Sequence, residues 1–290
     1  MPSILITGCS SGIGRRCAER CREQGWRVFA TARSPSDVEL LGKDGFETFA
    51  LDLESSESIR TATAELKIRL GEKALDAVFH NGAYGMAGAI EDLSREALRT
   101  QFETNLFGTV ELNNYLIPFF RKQGHGRIVL NSSVLGFVSL PFRGAYNASK
   151  YALEGIADTL RLELRNSGIH ISLIEPGPIE SKFRENAFLA FQRHVEPHLS
   201  DPTRNGEGKS PHQGAYQSMI ERLQKSGPVA PFTLPADAVA DALLHAITHP
   251  RPRIRYRVTF PTRLFAVLKR ILSARLLDGF LAKVGGDGSR

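Results

Sequence analysis

Short aliphatic and β-branched runs alternate along the chain with longer segments in which apolar residues return at helical spacing. A run such as Ser3-Ile4-Leu5-Ile6-Thr7 is too short for a packed helix and too evenly apolar for a half-exposed strand, so it reads as a strand covered on both faces. Runs of this kind fall at residues 4–7, 27–32, 48–51, 77–80, 127–131, 170–174 and 253–258. Helices fill the gaps. A long one begins at Ser94 and runs to about Arg121, and another covers 145–166, where Leu153, Ile156, Leu160 and Leu164 share a face. Strand and helix in regular alternation make βα units, which predicts one α/β domain over residues 1–260 with a doubly wound, seven-stranded parallel sheet. The rhythm breaks over residues 182–232, a polar stretch punctuated by Pro197, Pro202, Gly206, Gly208, Pro211 and Gly214.

Composition narrows the function classes. With 290 residues and 42% hydrophobic content the chain can bury a large core, and no apolar run is long enough to cross a bilayer. The first strand starts beside Met1, which leaves no room for a targeting segment and predicts a cytoplasmic protein. Cys9 lies in a glycine-rich turn and Cys17 and Cys21 on a helix, a spacing that builds neither a disulfide framework nor a zinc site and predicts buried thiols. His194 and His198 are separated by Pro197, which disrupts the helix that would align them, so no metal is expected. The net charge of +6 is concentrated at the end: residues 251–290 hold ten Lys/Arg against two Asp/Glu, and the first 250 residues are slightly acidic. No basic groove with stacking aromatics is present there, which argues against nucleic acid. Beyond Pro261 the basic extension 261–290 carries Leu264, Val267, Leu268, Ile271 and Leu272 at helical spacing among Arg263, Lys269, Arg270 and Arg275. This pattern suits a helix packed on its own domain or on a partner subunit, the better account, and also a helix lying on an anionic membrane surface.

The chemistry begins directly after the first strand, at Thr7-Gly8-Cys9-Ser10-Ser11-Gly12-Ile13-Gly14, which opens a helix. Backbone N–H groups and the helix dipole meet an anion at such a turn, and small residues let a pyrophosphate approach, as in Rossmann-type dinucleotide sites. The second strand ends at Ala32-Arg33, where a carboxylate would bind a free ribose hydroxyl and a guanidinium suits a 2′-phosphate. Arg33 therefore favours NADP(H) over NAD(H). Arg15 offers a second cation or is an ordinary helix arginine, and Ser10 and Ser11 could bond the same phosphate.

Tyr146 and Lys150 stand four positions apart on one helix face, thirteen and more residues after Ser133 at the end of a sheet strand. The joint order of these pieces resembles the short-chain dehydrogenase/reductase family, whose pattern is TGxxxGxG, an Asn-rich strand end, an active serine and YxxxK; the likeness covers about residues 3–180. It implies a catalytic set of Asn105, Ser133, Tyr146 and Lys150. Tyr146 would be the proton donor to a carbonyl, its phenol drawn down by Lys150, which would also hold the nicotinamide ribose. Ser133 would bond the substrate oxygen, with Ser132 as its rival, and Asn105 would position water in a proton relay. The resemblance further assigns Asp52 and Leu53 to adenine, Asn81 and Gly82 to the central strand beside the cofactor, and Pro176, Gly177, Ile179 and Ser181 to the nicotinamide. Two departures stand out: the Asn-Asn-Ala-Gly of the family reads His80-Asn81-Gly82-Ala83 here, and Ser181 replaces a usual threonine.

The likeness is nearest to hydroxysteroid and retinol dehydrogenases and implies a lipophilic alcohol or carbonyl substrate. It also makes 182–232 a substrate lid, with Phe183, Phe188, Leu189, Phe191, Tyr216 and Met219 either lining a pocket or packing in the core, and implies a homodimer or homotetramer through the two long helices. Two other readings compete. A nucleotide-sensing protein without turnover would not need the intact Ser, Tyr, Lys and Asn positions, and an epimerase or dehydratase of the extended branch differs in glycine spacing.

Overall fold

The computed structural model describes residues 1–199, 210–228 and 230–285. Seven parallel strands form one sheet in the order β3-β2-β1-β4-β5-β6-β7. They are β1 (Ser3–Ile6), β2 (Arg27–Ala32), β3 (Glu47–Ala50), β4 (Ala77–His80), β5 (Gly126–Asn131), β6 (Ile169–Glu175) and β7 (Arg255–Arg257). Alternation sends Ile4 and Ile6 to one face and Leu5 to the other, and each face has its own core. The first is covered by α1 (Gly12–Glu23), α2 (Pro35–Lys43) and α9 (Asp237–Thr248), with Cys17, Cys21 and Leu243 against the strands. The second is covered by α3 (Ser56–Leu70), α5 (Gly108–Gln123) and α6 (Gly144–Glu163), through Leu66, Leu116, Phe120 and Leu153. All three cysteines are free and buried.

The helix expected from Ser94 is not one α-helix. Ser94 caps α4 (Arg95–Phe102) by accepting the Ala97 N–H at 3.0 Å, and a π-helical turn, Glu103–Phe107, joins α4 to α5. After β6 come α7 (Phe183–His194) and α8 (Gln213–Gln224), and the basic extension forms two helices, α10 (Phe260–Ile271) and α11 (Ala274–Gly285). Phe265 of α10 and Leu281 of α11 pack with Leu135, Val138 and Tyr146, so the extension folds back as a wall beside Tyr146. No helix among the described residues is long and apolar enough to cross a membrane. The expected lid positions Pro202, Gly206 and Gly208, with the rest of 200–209, Val229 and the terminal 286–290, lie outside the described residues.

Since β1 is flanked by β2 on one side and β4 on the other, the winding reverses there, and a crevice opens beyond the carboxyl ends of these strands. The glycine turn, Asn81, Ser133 and Pro176 all follow those ends.

Candidate active site

The glycine turn owes its shape to close approaches. Gly8 and Gly12 have φ of +71° and +55°, and a Cβ on Gly14 would stand 2.1 Å from the Gly8 carbonyl oxygen. Ser11 enters α1 in extended conformation without a side-chain cap, and the first turn holds no acidic residue. Its hydroxyl and the N–H groups behind it therefore face an incoming anion. A web of bonds fixes the turn to the neighbouring strands. Thr7 Oγ1 accepts the Asn81 and Gly82 N–H groups at 3.0 and 2.8 Å, Asn81 Nδ2 donates to the Thr7 and Gly8 carbonyls at 3.1 Å each, and Asn131 Nδ2 donates to Asn81 Oδ1 at 3.0 Å. Asn81 thus ties the glycine turn to Asn131 of β5. His80 beside it bonds Asn113 Oδ1 at 2.8 Å, and burial pushes its pKa down to about 4, which keeps it neutral.

At the adenosine end, Arg33 is exposed and forms no ion pair among the described residues. Arg15, the other candidate cation, is engaged by Glu19 at 2.9 Å and Asp44 at 2.8 Å. Asp52 and Leu53 form a tight loop: Ser58 Oγ accepts the Asp52 N–H at 2.9 Å, and α5 comes so near that a Cβ on Gly108 would stand 1.9 Å from the Leu53 oxygen. At the nicotinamide end Pro176 is buried, and a Cβ on Gly177 would meet Thr259 Oγ1 at 2.2 Å. Leu234 bonds the peptides on either side of Ile179, to Pro178 O at 3.1 Å and from Glu180 N at 3.0 Å. The peptide groups of Ile179 itself take no part in that bridge, and its carbonyl accepts the Ser181 hydroxyl at 3.5 Å. A Cβ on Gly12 would come within 3.1 Å of Ser181 Cβ, so the two ends of the site touch.

Tyr146 and Lys150 lie one turn apart on the buried side of α6. Lys150 Nζ donates to the Asn131 carbonyl at 2.7 Å and sits 5.7 Å from the Tyr146 ring centroid. The two serines have different surroundings: Ser133 Oγ accepts the Leu135 N–H at 3.1 Å and its hydroxyl pulls the Tyr146 phenol pKa down, whereas Ser132 acts in the same way on the Glu154 carboxyl. Burial raises the Tyr146 phenol to about 12, against smaller downward pulls from Ser133 and Arg143. Burial lowers Lys150 to about 8, with Glu154 opposing. The sequence implied a phenol drawn towards neutrality, but desolvation outweighs the lysine, which is itself buried and bonded to a carbonyl. Tyr146 is therefore a neutral phenol able to give a proton.

Asn105 sits in the π turn and is 1% exposed. Its Nδ2 donates to the Tyr84 carbonyl at 2.9 Å and Ser149 Oγ at 3.1 Å, and its Oδ1 accepts the Tyr84 N–H at 3.1 Å. Both amide hydrogens are engaged in tying the 84 loop to α6, so the side chain acts as a brace. Of the expected lid residues, Phe183 alone packs on Tyr146, with ring centroids 5.1 Å apart. Tyr216 donates to Asp92 Oδ2 at 2.6 Å and Phe191 packs against it in the core, Phe188 and Met219 join a separate small cluster, and Leu189 is exposed. Sequence reasoning missed Phe265, Leu281 and Asn131 as neighbours of the catalytic pair, because only the folded chain brings them there.

The profile of the family described as "short chain dehydrogenase" matches residues 2–190. The chain is 42% identical over 279 residues to "Uncharacterized oxidoreductase YbbO" of Escherichia coli (strain K12), covering 96% of this chain and 93% of that protein. It is 32% identical over 282 residues to "Retinol dehydrogenase 16" of Mus musculus, covering 96% of this chain and 87% of the relative. Among solved structures, a short chain dehydrogenase/reductase from Burkholderia phymatum in complex with NAD superposes with a TM-score of 0.72 at 23% identity, covering 93% of this chain and 94% of that one.

Proposed function

This chain belongs to the short-chain dehydrogenase/reductase family, and on that premise we propose that it interconverts a lipophilic carbonyl compound and its alcohol with NADP(H) in preference to NAD(H). The observation that carries the reading is the buried Tyr146 phenol one helical turn from Lys150, whose Nζ lies 5.7 Å from its ring centroid, at the strand ends that also present Ser133 and the glycine turn. The crevice suits a dinucleotide: the open first turn of α1 fits its phosphates, the Ile179 peptide groups left out of the Leu234 bridge fit the carboxamide, and Arg33, exposed and without an ion pair among the described residues, fits a 2′-phosphate. Ser10, Gly12, Ile13, Asp52 and Gly82 complete the proposed contacts. When bound, the nicotinamide supplies or accepts the hydride. Ser133 then aligns the substrate oxygen, and Tyr146 passes its proton to that oxygen as carbonyl becomes alcohol. Lys150 holds the ribose, and its charge stabilises the phenolate left behind. Asn105 keeps the π turn against Ser149 and so fixes the start of α6.

The apolar wall of Leu135, Val138, Phe183, Phe265 and Leu281 supports a lipophilic substrate of steroid-, retinoid- or acyl-like character. Outward Phe107 and Leu162, on the π turn and α6, support a homo-oligomer, which a sedimentation mass reads directly. A panel of apolar ketones, aldehydes and alcohols, followed at the absorbance of the reduced cofactor, tests the main reading: turnover with NADPH well above that with NADH is expected. No turnover of any member with either cofactor contradicts it.

A further inference from the structure

Arg143, three residues before Tyr146, has no place in the proton transfer described above and is unusual in its surroundings. Among the described residues it is the one arginine short of full exposure whose guanidinium makes neither a hydrogen bond nor an ion pair. Its counterparts are all engaged: Arg27 with Glu47, Arg255 with Glu154, Asp158 and Glu175, Arg184 with the Arg222 and Lys225 carbonyls. The groups that act on Arg143 are Arg222 on α8, which disfavours its charge, and Tyr146, which favours it, and no carboxylate among the described residues compensates it. The residue is half-buried, and burial disfavours its charge. Arg143 is the N-cap of α6 and Tyr146 lies in its first turn, so the two side chains are neighbours at i and i+3, and the Arg143 charge acts on the phenol.

The backbone places this side chain at a price in conformation. Phe142 has a φ of 57°, a region that bulky residues avoid, and is kept there because its carbonyl accepts the Gly88 N–H at 2.9 Å and its ring packs edge-on against His212 and Tyr216 at 5.5 and 5.8 Å. Gly88 also bridges Arg143 directly. Strain of this kind persists where the surroundings over-determine it, and here it fixes the entry into the catalytic helix with Arg143 as the residue just outside α6.

We propose that Arg143, aided by Arg222, recognises an anionic group on the substrate. The preferred substrate is then an aldehyde or ketone with an apolar body and a carboxylate or phosphate a few bonds from the reacting carbon. This deepens the carbonyl-reductase reading and rests on it. A guanidinium in low-dielectric surroundings gains most from a planar or tetrahedral oxyanion that takes two parallel N–H bonds, and the short separation along the chain limits how far the anion can lie from the oxygen held by Tyr146. The apolar wall opposite, with Phe183 and Phe265, takes the rest of the molecule.

The test compares oxo-carboxylates and oxo-alkyl phosphates with their neutral ester or amide counterparts, chain length matched and spacing varied, in the NADPH-loaded enzyme and in Arg143→Met and Arg143→Lys. The wild type is expected to favour one anionic series by about tenfold or more in kcat/KM, which also identifies the anion. Arg143→Met should erase that preference, chiefly through KM, while Arg143→Lys restores part of it. Equal use of charged and neutral substrates by the wild type overturns the proposal, as does an Arg143→Met variant that slows both alike, because Arg143 would then serve Tyr146 or the fold. Reduction of neutral carbonyls without anion preference leaves the hydride-transfer reading standing and removes this one alone. Failure of every carbonyl removes both.

Discussion

Two buried groups, Tyr146 and Lys150, set the working protonation state, and burial controls each. Tyr146 stays a phenol because a phenolate would lie among Leu135, Val138 and Phe183, and Lys150 loses part of its ordinary basicity for the same reason. The identities of Tyr146, Lys150 and the turn glycines were legible in the sequence, since their spacing is local and each follows directly from a strand end or a helix face. The engagement of Arg15 and the bracing role of Asn105 were not, because each depends on a partner from another element, Asp44 and Tyr84 respectively. Arg33 is the residue on which cofactor choice is argued, as an exposed guanidinium without an ion pair at the end of β2. Changing Ala32→Asp together with Arg33→Ala should replace a 2′-phosphate partner by one for the free hydroxyl, moving the kcat/KM ratio of NADPH to NADH by about tenfold or more towards NADH. A retained NADPH preference in steady-state kinetics would count against the ribose assignment.

At the level of elements, all seven strands were readable to within two residues; the five inner ones are largely buried on both faces, while the edge strands β3 and β7 are only partly covered and stand out by their place in the βα rhythm. The last one is shorter than its pattern, only Arg255–Arg257, since the ladder from β6 ends there. The break between α4 and α5 left no trace in the periodicity: a π turn inserts without a proline or a polar gap and shows only through the bonds of Asn105. Helix approach is where single atoms decide. A methyl at Gly108 would strike the Leu53 carbonyl at 1.9 Å, whereas one at Gly155 on α6 meets nothing within 4 Å. Gly108→Ala should therefore lower stability by roughly 1–3 kcal/mol and loosen the Asp52-Leu53 loop. Gly155→Ala should raise it by roughly 0.5–1 kcal/mol through helix propensity. Urea midpoints check both, and a neutral Gly108→Ala would mean that α5 is not held as closely as the geometry has it.

The whole molecule joins an ordinary cofactor frame to an extension that closes the site. The fold class followed from periodicity alone, but the position of α10 and α11 did not, since an amphipathic basic helix packs equally well on its own domain, on a partner or on a bilayer. The structure shows the first: Phe265 and Leu281 lie beside Tyr146. The outer side of the same pair still presents Ile271 and Leu276, 69% and 63% exposed, each directly preceded by an exposed arginine, Arg270 and Arg275. On this basis the full chain should co-float with anionic vesicles, less so as salt rises, and hardly at all with neutral ones; an absence of co-flotation would confine the extension to its packing role. The central claim is that Tyr146 gives the proton that completes reduction, and the most direct measurement is a single turnover of Tyr146→Phe with NADPH bound and a carbonyl that the wild type reduces. The account predicts cofactor affinity close to the wild-type value and a rate at least about a hundredfold lower; an unchanged rate would contradict it.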